Sequence, residues 1–202
     1  ETDPRGSTGY GEDFALSIDL AYPGYDYDDL MTVVDEVVDK KYVDPERLFV
    51  TGGSGGGILT AWITTKTQRF AAAASIKPVI NWMTMALAAD IGQYVRRHWI
   101  RADPWADPEA FLKHSPIRYV DKVKTPTLIM VGEEDYRTPA WEAEQYYTAL
   151  KMLNVDTALI RVPGAPHYIA SRPSRLIGKT DNIMGWFAKY DPAKQNLEKT
   201  NQ

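Results

Sequence analysis

The stretch Arg47-Leu48-Phe49-Val50-Thr51-Gly52-Gly53-Ser54-Gly55-Gly56-Gly57-Ile58-Leu59 constrains this chain more than any other. A short apolar run gives way to a glycine-wrapped serine and then to a further apolar run, which reads as strand, sharp turn, helix. Gly52 and Gly56 flank Ser54 at minus two and plus two, the G-x-S-x-G pattern that raises a hydroxyl on a strained turn. Strand and helix nearly touch at such a turn, so side chains at both flanking positions are expected to collide. Gly55 offers an unobstructed amide at a helix N-terminus, where the macrodipole favours a developing oxyanion. A phosphate loop would place Lys after the last glycine, but Ile58 stands there, and the G-x-G-x-x-G spacing of dinucleotide sites fails as well. The remaining alternative, a flexible Gly/Ser turn, is decided by whether Ser54 has partners.

A serine hydroxyl needs a base, and the base needs an orienting carboxylate. The chain has 3 histidines. His98 falls on a helix face and His114 at a helix end, where solvated or capping roles are expected. His167 differs, because Thr157-Ala158-Leu159-Ile160-Arg161-Val162 reads as a strand and Pro163-Gly164-Ala165-Pro166 as the loop that delivers it at the strand's carboxyl end. That end is where α/β sheets place their chemistry. By the same logic Thr127-Leu128-Ile129-Met130-Val131 is a buried strand and Gly132-Glu133-Glu134-Asp135 the turn that follows it. Asp135 is chosen over the like-charged Glu133 and Glu134 because it stands directly before the next helix; a helix cap is its structural alternative. Nucleophile, acid and base then follow the chain order Ser, Asp, His.

Strand-like runs alternate with helical ones, the latter expected over 28–40, from the elbow to about residue 66, and over 140–153 and 174–190. Strands near Leu48, over 71–76, at Thr127 and at Thr157 argue a mostly parallel sheet flanked by helices, within one α/β domain over 1–202. The segment 82–114 is long for a connection, aromatic and mostly helical, and is expected to form a cap-like insert beside the serine. Pro78-Val79-Ile80-Asn81-Trp82 leaves the strand next to the elbow, so Val79 and Trp82 are expected to wall the first substrate pocket, with ordinary core the alternative for Trp82. No acidic residue follows that strand closely, which favours apolar or aromatic side chains at the cleaved bond.

Composition narrows the partners. A net charge of -4, without a basic patch interleaved with aromatics, disfavours nucleic acid. No apolar run approaches the roughly 20 residues of a membrane span. The absence of cysteine rules out disulfides and thiol catalysis and leans toward the cytoplasm, with periplasmic or secreted locations left open. The chemistry needs no metal or cofactor.

Several motifs carry a family resemblance over nearly the whole chain: Arg5-Gly6-Ser7-Thr8-Gly9-Tyr10-Gly11, Tyr25-Asp26-Tyr27-Asp28-Asp29-Leu30, the Ser54 elbow, Lys124-Thr125-Pro126, Gly132-Glu133-Glu134-Asp135 and Arg172-Pro173-Ser174. Together they resemble the catalytic domain of the prolyl oligopeptidase family, in its acylaminoacyl-peptidase branch. The resemblance implies an α/β-hydrolase fold with Ser54 as nucleophile, Asp135 as acid, His167 as base and the Gly55 amide as an oxyanion donor. It also implies that Arg137 reaches a substrate carbonyl, against the alternatives of an ion pair with Glu133 or Glu134 and of a solvated arginine. The implied activity is serine-type hydrolysis of short or N-acylated peptides through an acyl-enzyme. A carboxylesterase and a catalytically inert subunit with a binding role are the alternatives. Two departures stand out. Tyr168 follows His167 where the family commonly has a small residue, and the upstream His-Gly-Gly strand that supplies a second oxyanion donor is not present. The resemblance therefore implies that the first strands are lacking, that a second polypeptide segment completes the domain, and that the parent carried the family's upstream propeller.

Overall fold

The computed structural model describes residues 2–193. Four strands, β1 (Phe49–Gly53), β2 (Ala72–Ile76), β3 (Thr127–Gly132) and β4 (Thr157–Val162), form one parallel sheet in the order β1-β2-β3-β4. Every residue of β2 and β3 is buried, as expected for strands covered on both faces. Successive residues of β3 serve opposite faces, the period-two consequence of the pleat. Ile129 and Val131 pack with Ala61, Ala143, Tyr146 and Leu150, while Leu128 and Met130 pack with Ile169 and with Ile183, Trp186 and Phe187.

The helices that cover these faces are α1 (Glu12–Leu16), α2 (Tyr25–Asp39), α3 (Gly55–Lys66), α4 (Trp82–Ala88), the single turn α5 (Gly92–Tyr94), α6 (Pro108–Leu112), α7 (Ala140–Met152) and α8 (Pro173–Lys189). Helix α2 begins three residues before the expected 28. Asp26 explains this, since its buried carboxylate accepts from the Gly24 amide at 2.6 Å and closes the turn that starts the helix. The segment 82–114 is broken into α4, α5, a π-helical stretch (Val95–Ile100) and α6. Two of the motifs that carry the resemblance meet here: Arg5 grips Asp29 by a fork of bonds at 2.7 to 3.1 Å, tying the N-terminal turn to α2. At the far end Arg47 grips Asp191 at 2.8 Å through both nitrogens, fixing the entry of β1 to the end of α8.

The elbow owes its shape to two backbone contacts. A Cβ on Gly52 would stand 2.3 Å from the Gly56 carbonyl oxygen, and one on Gly57 would stand 2.5 Å from the Ile76 carbonyl oxygen. Gly56 itself has nothing within 4 Å, which corrects the expectation that the plus-two side chain would collide. Gly56 is met through its backbone, and the second tight glycine is Gly57 at plus three, where α3 crosses the end of β2. β1 lies at the edge of the sheet, with its residues only half-buried or exposed, and among the described residues no strand pairs with its outer side.

Gly57→Ala is therefore expected to destabilise the chain by about 2 to 3 kcal/mol, because backbone cannot yield as a side chain can. Gly56→Ala should change stability by less than about 1 kcal/mol. Urea unfolding of the two variants beside the parent checks the pair, and equal losses would mean that the contact at Ile76 is not what excludes a side chain.

Candidate active site

The three strand ends converge. Ser54 follows β1 directly and takes φ 59 and ψ −118, a left-handed conformation that a residue with a side chain seldom adopts. Its amide donates to the Ile76 carbonyl at 3.0 Å, so the strained residue is pinned from β2. Ser54 is the N-cap of α3, yet its hydroxyl caps nothing. The hydroxyl instead lies 3.0 Å from Nε2 of His167, a partner that a plain flexible turn would not have. The other ring nitrogen, Nδ1, lies 2.9 and 3.1 Å from the two carboxylate oxygens of Asp135.

Asp135 is 2% exposed. Burial pushes its carboxyl up, but hydrogen bonds from His167 and from the Thr138 amide and hydroxyl outweigh burial and hold it below the ordinary carboxylate range. The amides of Arg137 and Thr138 both donate to Oδ1, at 3.0 and 2.9 Å, and the Thr138 hydroxyl donates to Oδ2 at 3.0 Å. Asp135 thus caps the turn before α7 as well as facing His167, so the capping reading and the acid reading describe one carboxylate. Glu133 and Glu134 are exposed, with Glu133 3.3 Å from Arg161. The loop carrying His167 is fixed from two sides. Glu134 donates its amide to the Ala165 carbonyl at 3.0 Å, and Lys77 donates Nζ to the His167 carbonyl at 2.8 Å. Lys77 itself sits at φ 46, and burial pushes its ammonium down.

Gly55 is the first residue of α3, so its amide has no acceptor within the helix and stands directly beside Ser54 in sequence. The carbonyl of the same residue accepts from the Tyr22 hydroxyl at 2.8 Å, which anchors it. A cavity of about 810 Å³ opens above this floor, reached by Ser54, Gly55, His167, Val79, Trp82 and Arg137 among others. Val79 and Trp82 are each 1% exposed and belong to an apolar cluster with Ile58, Met85 and Phe111. Trp82 is therefore both core and cavity wall. Its indole donates to the His114 carbonyl at 3.1 Å and meets Trp99 edge-on at 5.5 Å.

One expectation and one alternative need correcting. His114 caps no helix: its ring Nδ1 lies 3.0 Å from the Pro23 carbonyl, half-buried at the cavity, and burial is the chief cause that pushes its pKa down. Arg137 pairs with neither glutamate, because Nε donates at 2.7 Å to Asp90, which the break after α4 brings to the cavity rim. His98, exposed as expected, stacks on Tyr94. Tyr22, Lys77, Asp90 and Thr138 were missed by sequence reasoning. Only Lys77, a cation at the end of an apolar strand level with Ser54, carried a local signal. Among the described residues no cluster of three or more His, Cys, Asp or Glu could hold a metal, and no helix is long and apolar enough to cross a membrane.

Residues 1–191 match the prolyl oligopeptidase family. An uncharacterized peptidase of Bacillus subtilis (strain 168), YuxL, is 40% identical over 190 residues, covering 93% of this chain and 29% of its own. The uncomplexed acylaminoacyl peptidase of Pyrococcus horikoshii superposes with a TM-score of 0.87 at 30% identity, over 93% of this chain and 31% of that one. An acylaminoacyl peptidase in complex with Z-Gly-Gly-Phe-chloromethyl ketone superposes with a TM-score of 0.85 at 31% identity, over 91% of this chain and 30% of that one. The chain thus spans less than a third of the length of each. The two peptidases of known structure share its α/β-hydrolase fold, a parallel sheet flanked by helices.

The lowered Asp135 carboxyl has a consequence for stability. A carboxyl that binds its proton less tightly when folded adds stability above its ordinary value of about 3.9, and this is lost as pH falls through the folded value. Asp135→Asn should be less stable than the parent by about 1 to 3 kcal/mol at pH 7, with the gap narrowing below about pH 4. Denaturant melts at pH 7 and pH 3 check this, and a gap that stays constant would mean the carboxylate charge contributes nothing.

Proposed function

Since the chain belongs to the prolyl oligopeptidase family, we propose that it is the catalytic part of a serine-type peptidase acting on short or N-acylated peptides. The observation that carries this reading is the unbroken relay Ser54 Oγ, His167 Nε2, His167 Nδ1, Asp135, set at the floor of an apolar cavity. His167 takes the Ser54 proton as Oγ attacks the scissile carbonyl, and the new oxyanion is received by the Gly55 amide. His167 then returns the proton to the leaving amine, leaving an acyl-Ser54 ester that water hydrolyses by the same steps reversed. Asp135 holds the tautomer that keeps Nε2 ready to accept, and it stabilises the imidazolium as it forms. Val79 and Trp82 favour an apolar or aromatic side chain next to the cleaved bond. The phenylalanyl ligand named for one structural relative supports that preference. Arg137, always protonated, holds a substrate carbonyl, with Asp90 aiming its guanidinium across the rim.

A fluorophosphonate probe should label Ser54 and leave Ser54→Ala unlabelled. Ser54→Ala or His167→Ala should lower peptide turnover by roughly 10⁴ to 10⁶-fold, and Arg137→Ala should harm peptides more than small esters. An unlabelled, folded parent chain would favour the inert reading, and turnover of esters alone would favour a carboxylesterase.

The edge position of β1 supports a second part of the proposal. Another polypeptide segment pairs with the outer side of β1 and brings a second oxyanion donor, which is worth on the order of 10² to 10³ in turnover. Hydrogen exchange in 49–53 should slow, and turnover rise by about that factor, when the chain is part of its longer polypeptide or complex. Turnover by the isolated chain that a longer form does not raise would overturn the idea.

A further inference from the structure

Glu142 lies in the first turn of α7 and is 0% exposed, and among the described residues it forms no ion pair. A carboxyl so placed is costly unless its bonding is complete. Oε2 accepts from the consecutive amides of Ile80 and Asn81 at 2.8 and 2.9 Å, and Oε1 meets the Thr84 hydroxyl. The two amides belong to the turn between β2 and α4, which carries Val79, and Thr84 belongs to α4, which begins at Trp82. The next two amides, the first of α4, are also held by side chains, Trp82 by Ser115 at 2.9 Å and Met83 by Asn81 at 3.1 Å. Of these anchors only Glu142 comes from the helix that follows the Asp135 turn.

We propose that Glu142 is a positioning residue for specificity, its carboxyl fixing the β2–α4 turn so that Val79 and Trp82 stand at a set distance from Ser54. This rests on reading the cavity as the pocket of an acyl-transfer site. The acid loop and the pocket wall are thereby built on one helix, since α7 starts at Ala140, five residues after Asp135. The bonding also says which replacement should serve. Thr84 has one proton and lies 3.0 Å from the Asn81 carbonyl, so when it donates there the contact with Glu142 needs a proton from the carboxyl. Burial pushes that carboxyl up, in the same direction. A glutamine supplies the same pattern, its oxygen accepting from both amides and its NH₂ donating to Thr84.

The test compares labelling rates of Ser54 by two fluorophosphonates, one with a small alkyl group and one with a phenylalkyl group. Glu142→Gln should keep the parent's preference between them within about twofold. Glu142→Leu should lose about tenfold or more on the phenylalkyl probe while the small probe stays within about threefold. Should Glu142→Leu not fold, Glu142→Asp, too short to reach both amides, is expected to show the same selective loss. Folded variants that keep the parent's preference, or that slow equally on both probes, would overturn the positioning role alone. A folded parent that neither probe labels would overturn the acyl-transfer reading, and this role with it.

Discussion

Everything at the site depends on the close approach of α3 to the ends of β1 and β2. The Gly56 carbonyl fills the space over Gly52, and the Ile76 carbonyl fills the space over Gly57. With no side chain between them, helix and strands come close enough that the one residue joining them, Ser54, is forced to φ 59. That strain is maintained by its surroundings, because the Ser54 amide is held by Ile76 and its carbonyl accepts the first bond of α3 from Ile58. The hydroxyl is left pointing away from both elements, toward the loop that carries His167.

The parallel register supplies the rest. β2 pairs with β1 and β3, and β3 pairs with β4, so the residues after β1, β3 and β4 emerge on one edge of the sheet. A parallel sheet brings distant residues to the same edge without any local signal, and here it joins positions 113 and 32 residues apart. The fine placement then comes from tight backbone contacts and from polar side chains. Gly132 lets β3 pass under the loop after β4, where a Cβ would stand 2.2 Å from the Ala165 carbonyl oxygen. Lys77, at φ 46 just past the end of β2, reaches the His167 carbonyl with its ammonium.

The pocket wall follows a different logic. It is built from apolar bulk held in place by buried polar groups, Glu142, Ser115 and Asn81, which together satisfy four successive amides where β2 ends and α4 begins. Backbone amides removed from water need partners, and a short helix that starts inside the core cannot obtain them from solvent. The polar network therefore both permits the burial of Trp82 and fixes where it stands.

The sequence by itself determined the elements and the order of the site residues. Glycine spacing around Ser54, apolar runs of strand length, and turns just after them are short-range features, and each reports the local backbone directly. The places of Ser54, Asp135 and His167 just past strand ends were legible for that reason, as were the helices over 140–153 and 174–190 to within a residue or two at each end. The tertiary structure alone decided which glycine after the serine is tight, that Arg137 faces Asp90, that His114 leans on Pro23, and that Glu142 holds the wall beside the cavity. These contacts join residues 19 to 91 positions apart, between elements whose distance is set by how the helices pack on the sheet. A sequence pattern carries the period of one strand or helix. It does not carry the separation between two of them, and that separation is what chooses a polar side chain's partner.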